Sequence, residues 1–76
     1  MKLNELLKGD KATILSINAS SALRQRFYSF GIMKGEEVEM KECSLGKQTI
    51  EVKVGETFVA LRIDEAGQIF IDSNSH

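Results

Sequence analysis

RFYSFGIMKGEEVEM, residues 26–40, contains a change of hydrophobic period, and that change decides how the chain folds. Up to Phe30 the apolar residues keep helical spacing: Leu23, Phe27 and Phe30 fall at i, i+4 and i+7 and make one stripe, with Arg24, Gln25 and Ser29 on the wet side. Ser20 or Ser21 can cap this helix by accepting a bond from an unpaired first-turn N–H. Neither has Glu or Gln three residues on, so no capping box forms. Gly31 stands where a left-handed C′ residue belongs, and Ile32 can fold back on Phe27 as in a Schellman ending. Met33-Lys34-Gly35-Glu36 then reads as a tight turn with glycine at a positive φ. From Glu37 to about Cys43 the period becomes two, with Val38 and Met40 inward and Glu39 and Lys41 outward.

Away from this junction the chain reads as β. Leu3–Leu7 is a short apolar stretch stopped by Lys8-Gly9-Asp10, a turn signal. A first strand is expected over Lys11–Ile17. Ala12 and Ile14 point one way and Leu15 and Ile17 the other, which implies a bulge or a sharp bend of the kind that curls a sheet into a small barrel. Ser44-Leu45-Gly46-Lys47 is a loop, after which Ile50, Val52 and Val54 alternate with Thr49, Glu51 and Lys53. Gly55-Glu56 makes a two-residue hairpin link with glycine first, and Thr57–Arg62 is the returning strand. Asp64–Gly67 is one helical turn and Gln68–Ile71 a last strand. The expected fold is mostly β: a small SH3-like barrel of about five strands with one α-helix inserted after the first strand. Residues 1–72 make one domain and 73–76 a polar tail.

Composition narrows the functional classes. A chain of 76 residues is one small domain near the size where a lone core suffices. Ten basic against eleven acidic residues leave a net charge of −1, which gives no bulk reason to bind nucleic acid or an anionic membrane. Apolar runs such as Phe58–Leu61 are too short to span a bilayer, and Met1–Glu5 lacks the blocks of a secretory signal, so a cytoplasmic protein that is not integral to the membrane is expected. The single cysteine, Cys43, cannot form an internal disulfide.

With these elements placed, the chain resembles the FeoA family, small SH3-like proteins of bacterial ferrous iron uptake. The resemblance covers roughly Leu3–Ile71. It is carried by Phe30-Gly31-Ile32 with Gly35, and by Ala60-Leu61-Arg62 followed by Glu65-Ala66 and Ile69, in the family's order and spacing. Two positions depart from the family's pattern: Lys34 stands where the family often has proline, and Gly46-Lys47-Gln48 where it often has Gly-x-Pro. A proline there would only stiffen a turn. The resemblance implies a cytosolic accessory, not an enzyme, that acts with a FeoB-type permease carrying a cytoplasmic GTP-binding region. Related SH3-like domains close the ends of iron-dependent repressors, but no helix-turn-helix fits in this chain.

The residues themselves offer little for catalysis or metal binding. Ser20, Ser21 and Cys43 have no internal histidine to activate them, and no Gly-Lys-Ser/Thr follows the glycines. His76 and Cys43 lie apart, and Glu37 and Glu39 are most simply a solvated strand face, so no metal or cofactor site is assigned. Partner binding is better supported: Tyr28 lies off the apolar stripe and Met33 at a turn tip, residue types that suit recognition surfaces. The expected docking surface is Arg24, Tyr28, Met33, Lys34 and Gly35. Arg24 and Arg26 are also weighed as arginines offered to a GTPase site, against solubilising charges on a wet face. Ser20–Lys34 carries three basic residues and no acid, whereas Glu36–Glu42 carries four acids and one lysine; this split either orients a partner or makes two plain surface patches. A weak homo-oligomer stays open. The alternative is a small-barrel interaction module for another partner, such as RNA, although Phe58 and Phe70 have neutral or acidic neighbours.

Overall fold

The computed structural model describes residues 1–44, 46 and 48–73. The expected loop positions Leu45 and Lys47 and the tail residues Asn74–His76 lie outside the described residues.

A 3-10 turn over Leu3–Glu5 opens the chain and buries Leu3. In the sequence this segment is marked only as a short apolar stretch. Strand β1 spans Lys11–Ile17, helix α1 Ser21–Ser29, β2 Glu37–Ser44, β3 Thr49–Val54, β4 Thr57–Arg62, the single-turn helix α2 Ile63–Ala66, and β5 Ile69–Ser73. The last strand therefore starts one residue later than expected and runs two further, because Thr13 and Ala12 of β1 continue to pair with Asp72 and Ser73. All five strands form one antiparallel sheet in the order β4-β3-β2-β1-β5.

The mixed apolar faces of β1 have the expected cause. Its register against β5 shifts between Ile14 and Ser16, and β1 pairs with β2 only over Lys11–Thr13. A bulge reverses which face each following side chain meets. Ala12 and Ile14 point into the core, and Leu15 emerges with 48% of its surface exposed. A second register shift, between Met40 and Glu42, bends β2.

The helix ends as its sequence demands. Ser20 Oγ accepts from the Leu23 N–H at 3.3 Å. At the other end Ile32 N–H donates to Phe27 O at 2.9 Å and Gly31 N–H to Tyr28 O at 3.0 Å, the two bonds of a Schellman motif. Gly31 sits at φ +88°, a conformation that is costly for any residue with a Cβ.

One core gathers Leu3, Leu6, Ala12, Ile14, Phe27, Ile32 and the inward residues of β2 to β5. Of the three stripe residues only Phe27 is sealed; Leu23 and Phe30 are half-buried at the rim. Within the nine residues of α1 Phe27 is the one buried side chain. Closure is incomplete. The N-terminal segment clips onto β5 through a Lys2–Phe70 bridge and an Ile71 N–H to Met1 O bond of 2.8 Å, whereas among the described residues β4 pairs with β3 alone.

Candidate functional site

The surface around α1 is built from β1, the helix and the turn that follows. Arg24 and Tyr28 are four residues apart and so share one helical face, and both are exposed while Phe27 is buried. Once Gly31 has reversed the chain, buried Ile32 anchors it. The Met33–Glu36 turn closes with a Glu36 N–H to Met33 O bond of 3.1 Å, and Gly35 stands at φ +92°. Two bonds then fasten the turn to β1: Gly35 N–H to Ile14 O at 2.8 Å and Ile14 N–H to Glu36 O at 2.9 Å. Because the bulge follows immediately, Leu15, Ser16 and Ile17 come to line one shallow cleft of about 270 Å³ with Arg24, Tyr28 and Lys34.

Three of the five predicted docking residues thus meet. Met33, 40% exposed, and Gly35 belong to the adjoining turn and do not line the cleft. Nothing lies within 4 Å of a Cβ built at Gly35, so glycine is required there for backbone conformation and not for space. Leu15, Ser16 and Ile17 were not expected at the site, although an apolar Leu15 out of step with its strand was the signal for them.

The cleft's charge is positive: Arg24 and Lys34 line it and no acid does. Arg26, weighed with Arg24 at the sequence level, is engaged elsewhere. Its guanidinium forks onto Glu65 of α2, Nη1 to Oε2 at 2.8 Å and Nη2 to Oε1 at 3.4 Å, and lies 5.9 Å from the Phe30 ring centroid. Glu65 also accepts the Arg62 N–H at 3.1 Å. Burial pushes the Glu65 carboxyl up, but the Arg62 N–H and the Arg26 guanidinium together outweigh it and hold the group below its ordinary value. Arg26 thus ties α1 to α2, and of the two helix arginines Arg24 is the one with no ion pair among the described residues.

The acidic strand is less one-sided than its sequence. Glu39 faces Lys11 of β1 and Lys53 of β3 across the sheet, and Glu36, Glu37 and Glu39 share a groove with both lysines. A larger depression of about 630 Å³, lined by Gln48, Thr49, Arg62, Ile63 and Asp64, contains none of the predicted residues. Among the described residues no three His, Cys, Asp or Glu side chains gather as a metal site, and Cys43 is exposed; His76 lies outside those residues. Phe58 is exposed beside Lys53 and Phe70 is half-buried against the N-terminal segment, so these rings do not fan over one basic face. No helix of the described residues is long and apolar enough to cross a membrane.

A curled five-stranded antiparallel sheet, plugged by one short helix inserted after β1, defines an SH3-like domain. The FeoA domain model matches residues 1–73, and the chain belongs to the FeoA family, a family of small Fe(2+) transport accessory proteins and not a known enzyme family. It is 40% identical over 72 residues to an Fe(2+) transport protein A of Campylobacter jejuni, covering 95% of this chain and 97% of that one. The crystal structure of Stenotrophomonas maltophilia FeoA complexed with zinc, an SH3 domain protein, matches with a TM-score of 0.82 at 37% identity, over 95% of this chain and 89% of that one. An Fe(2+) transport protein A/Fe(2+) transporter FeoB fusion protein of Porphyromonas gingivalis is 25% identical over 72 residues, covering 95% of this chain and 8% of that one.

Proposed function

We propose that this domain is a cytosolic accessory of ferrous iron uptake that docks on a FeoB-type permease, at its cytoplasmic GTP-binding region, and modulates it. The observation that carries the reading is the cleft itself: Arg24, Tyr28 and Lys34 beside exposed Leu15, flanked by the Met33–Gly35 turn. Basic, aromatic and flexible apolar groups together suit a protein surface better than a small polar substrate. The fused relative supports the choice of partner, since there a homologous segment and a FeoB transporter share one polypeptide. Arg24, with no ion pair among the described residues, is the candidate to reach a GTPase site.

The test is an amide-resolved NMR titration of the labelled domain with the isolated GTP-binding region, in GDP and GTP-analogue states. Shifts confined to Leu15–Ile17 and Arg24–Gly35 and dependent on nucleotide are the expected result. No shift in either state removes the GTP-binding region as partner. GTP hydrolysis unchanged by Arg24→Ala, with binding retained, removes the arginine's catalytic role.

A further inference from the structure

The two ends of the sheet are treated differently. Strand β5 is partly covered by the N-terminal segment, but among the described residues β4 has a neighbour on one side only. The two-residue link Gly55-Glu56 makes Val54 and Thr57 a hydrogen-bonded pair. By alternation Thr57, Val59 and Leu61 turn their peptide groups toward β3, and Phe58, Ala60 and Arg62 turn theirs outward. Two observed bonds obey this order: Ile63 N–H donates to Gln48 O at 3.0 Å, toward the β3 side, and Arg62 N–H donates outward to Glu65 Oε1 at 3.1 Å. Among the described residues the outward N–H and C=O groups of Phe58 and Ala60 have no protein partner. Folded proteins blunt such an edge with lysine, proline or a bulge. Thr57–Arg62 has none of these, and it pairs with β3 in unbroken register.

We infer that β4 is the pairing edge for a second copy of this chain, antiparallel about a two-fold axis at Val59. In that register Phe58 faces Ala60 of the other copy twice over, and each such pair exchanges two backbone hydrogen bonds through the outward groups of Phe58 and Ala60. Phe58, 57% exposed, lies against the small Ala60 side chain, and Glu56 comes opposite Arg62 at both ends. The neighbouring registers fail. Moving the axis to Ala60 directs Phe58 at the Arg62 N–H already given to Glu65 and sets Glu56 against Asp64. Moving it to Phe58 strands Ala60 opposite the turn residue Glu56 with no charge pair. A single strand pair buries little surface, so the dimer is weak and forms at high protein concentration.

Sedimentation velocity and amide NMR over about 10 µM to about 1 mM test this, a range that brackets weak affinities. The expected result is reversible monomer–dimer exchange, with concentration-dependent shifts and slowed exchange at the Phe58 and Ala60 amides. Ala60→Pro removes an N–H the fold does not use and should abolish association while the remaining spectrum stays native. Where Ala60→Pro disturbs the fold, the turn variant Glu56→Arg should weaken association at least several-fold, and Glu56→Arg combined with Arg62→Glu should restore it. A wild-type chain that stays monomeric throughout, or a dimer indifferent to these changes, overturns the inference.

Discussion

Replacing Phe27 by alanine should remove most of the stability of this domain. The ring is fully buried, touches the core from the helix side, and is the residue on which Ile32 folds back to end α1. A phenylalanine buries about 150 Å² or more, which at about 25 cal/mol per Å² is roughly 4 kcal/mol. Measured Phe→Ala changes in cores span about 3–5 kcal/mol, because the cavity collapses only in part. A chain of 76 residues at ~0.05–0.15 kcal/mol per residue has about 4–11 kcal/mol in total. Urea unfolding followed by far-UV circular dichroism should therefore show a midpoint lowered by about 3–5 kcal/mol divided by m, or no folded baseline at all. Phe30→Ala, at the rim, serves as the contrast and should lower it by less than half as much. A Phe27→Ala loss below about 1.5 kcal/mol, or equal losses at the two positions, would show that the helix is not the plug of the core.

Three further outcomes follow from named contacts. Gly31→Ala should lower stability by about 1 kcal/mol in the same assay: the left-handed conformation costs about 1–2 kcal/mol, partly offset by a stiffer unfolded chain. Its Cβ would meet Val54 Cγ1 at 3.9 Å, ordinary contact, so a loss well above 2 kcal/mol would refute a conformational cause. The Glu65 carboxyl is lowered in the fold, so its contribution is present above the unfolded carboxylate value of about 4.5 and disappears as pH falls through the folded value. Thermal melts should show wild type above Glu65→Gln at pH 7 and the gap closing in acid; a gap constant with pH would refute the Arg26–Glu65 fork. Met33→Glu should weaken docking on the GTP-binding region at least several-fold with the fold intact, and normal binding would move the interface off the turn.

The local steps of the fold were legible in the chain because they depend on neighbours a few residues apart. Gly31 followed by Ile32 names a helix ending, Gly55-Glu56 names a hairpin, and the two-faced apolar pattern of Ala12–Ile17 announces the shift between Ile14 and Ser16. What depends on residues far apart was not legible. In the sequence Arg26 is either an arginine offered to a GTPase site or a wet-face charge, and only the fold sets it against Glu65, 39 positions away. The same holds for the site. Tyr28 and Lys34 stand out by type and place, but Leu15–Ile17 join them only because two backbone bonds fasten the Gly35 turn to Ile14. Leu23 and Phe30 show the limit of periodicity: a stripe says which way side chains point, and the length of the helix says how many reach the centre.

The pairing of β1 with β5 sets the order in which this domain can be made. Ile14 meets Ile71, and Ile17 meets Ile69, so the first strand waits for the last to be synthesised before its inner face is fully covered. Contacts that join opposite ends of a chain slow folding into the millisecond-to-second range typical of small β barrels. A nascent chain carrying only β1 to β4 still exposes the apolar row of Ala12 and Ile14 that β5 would close, and with it a surface prone to sticking. Truncation before Ile69 should therefore yield insoluble protein and not a smaller working domain.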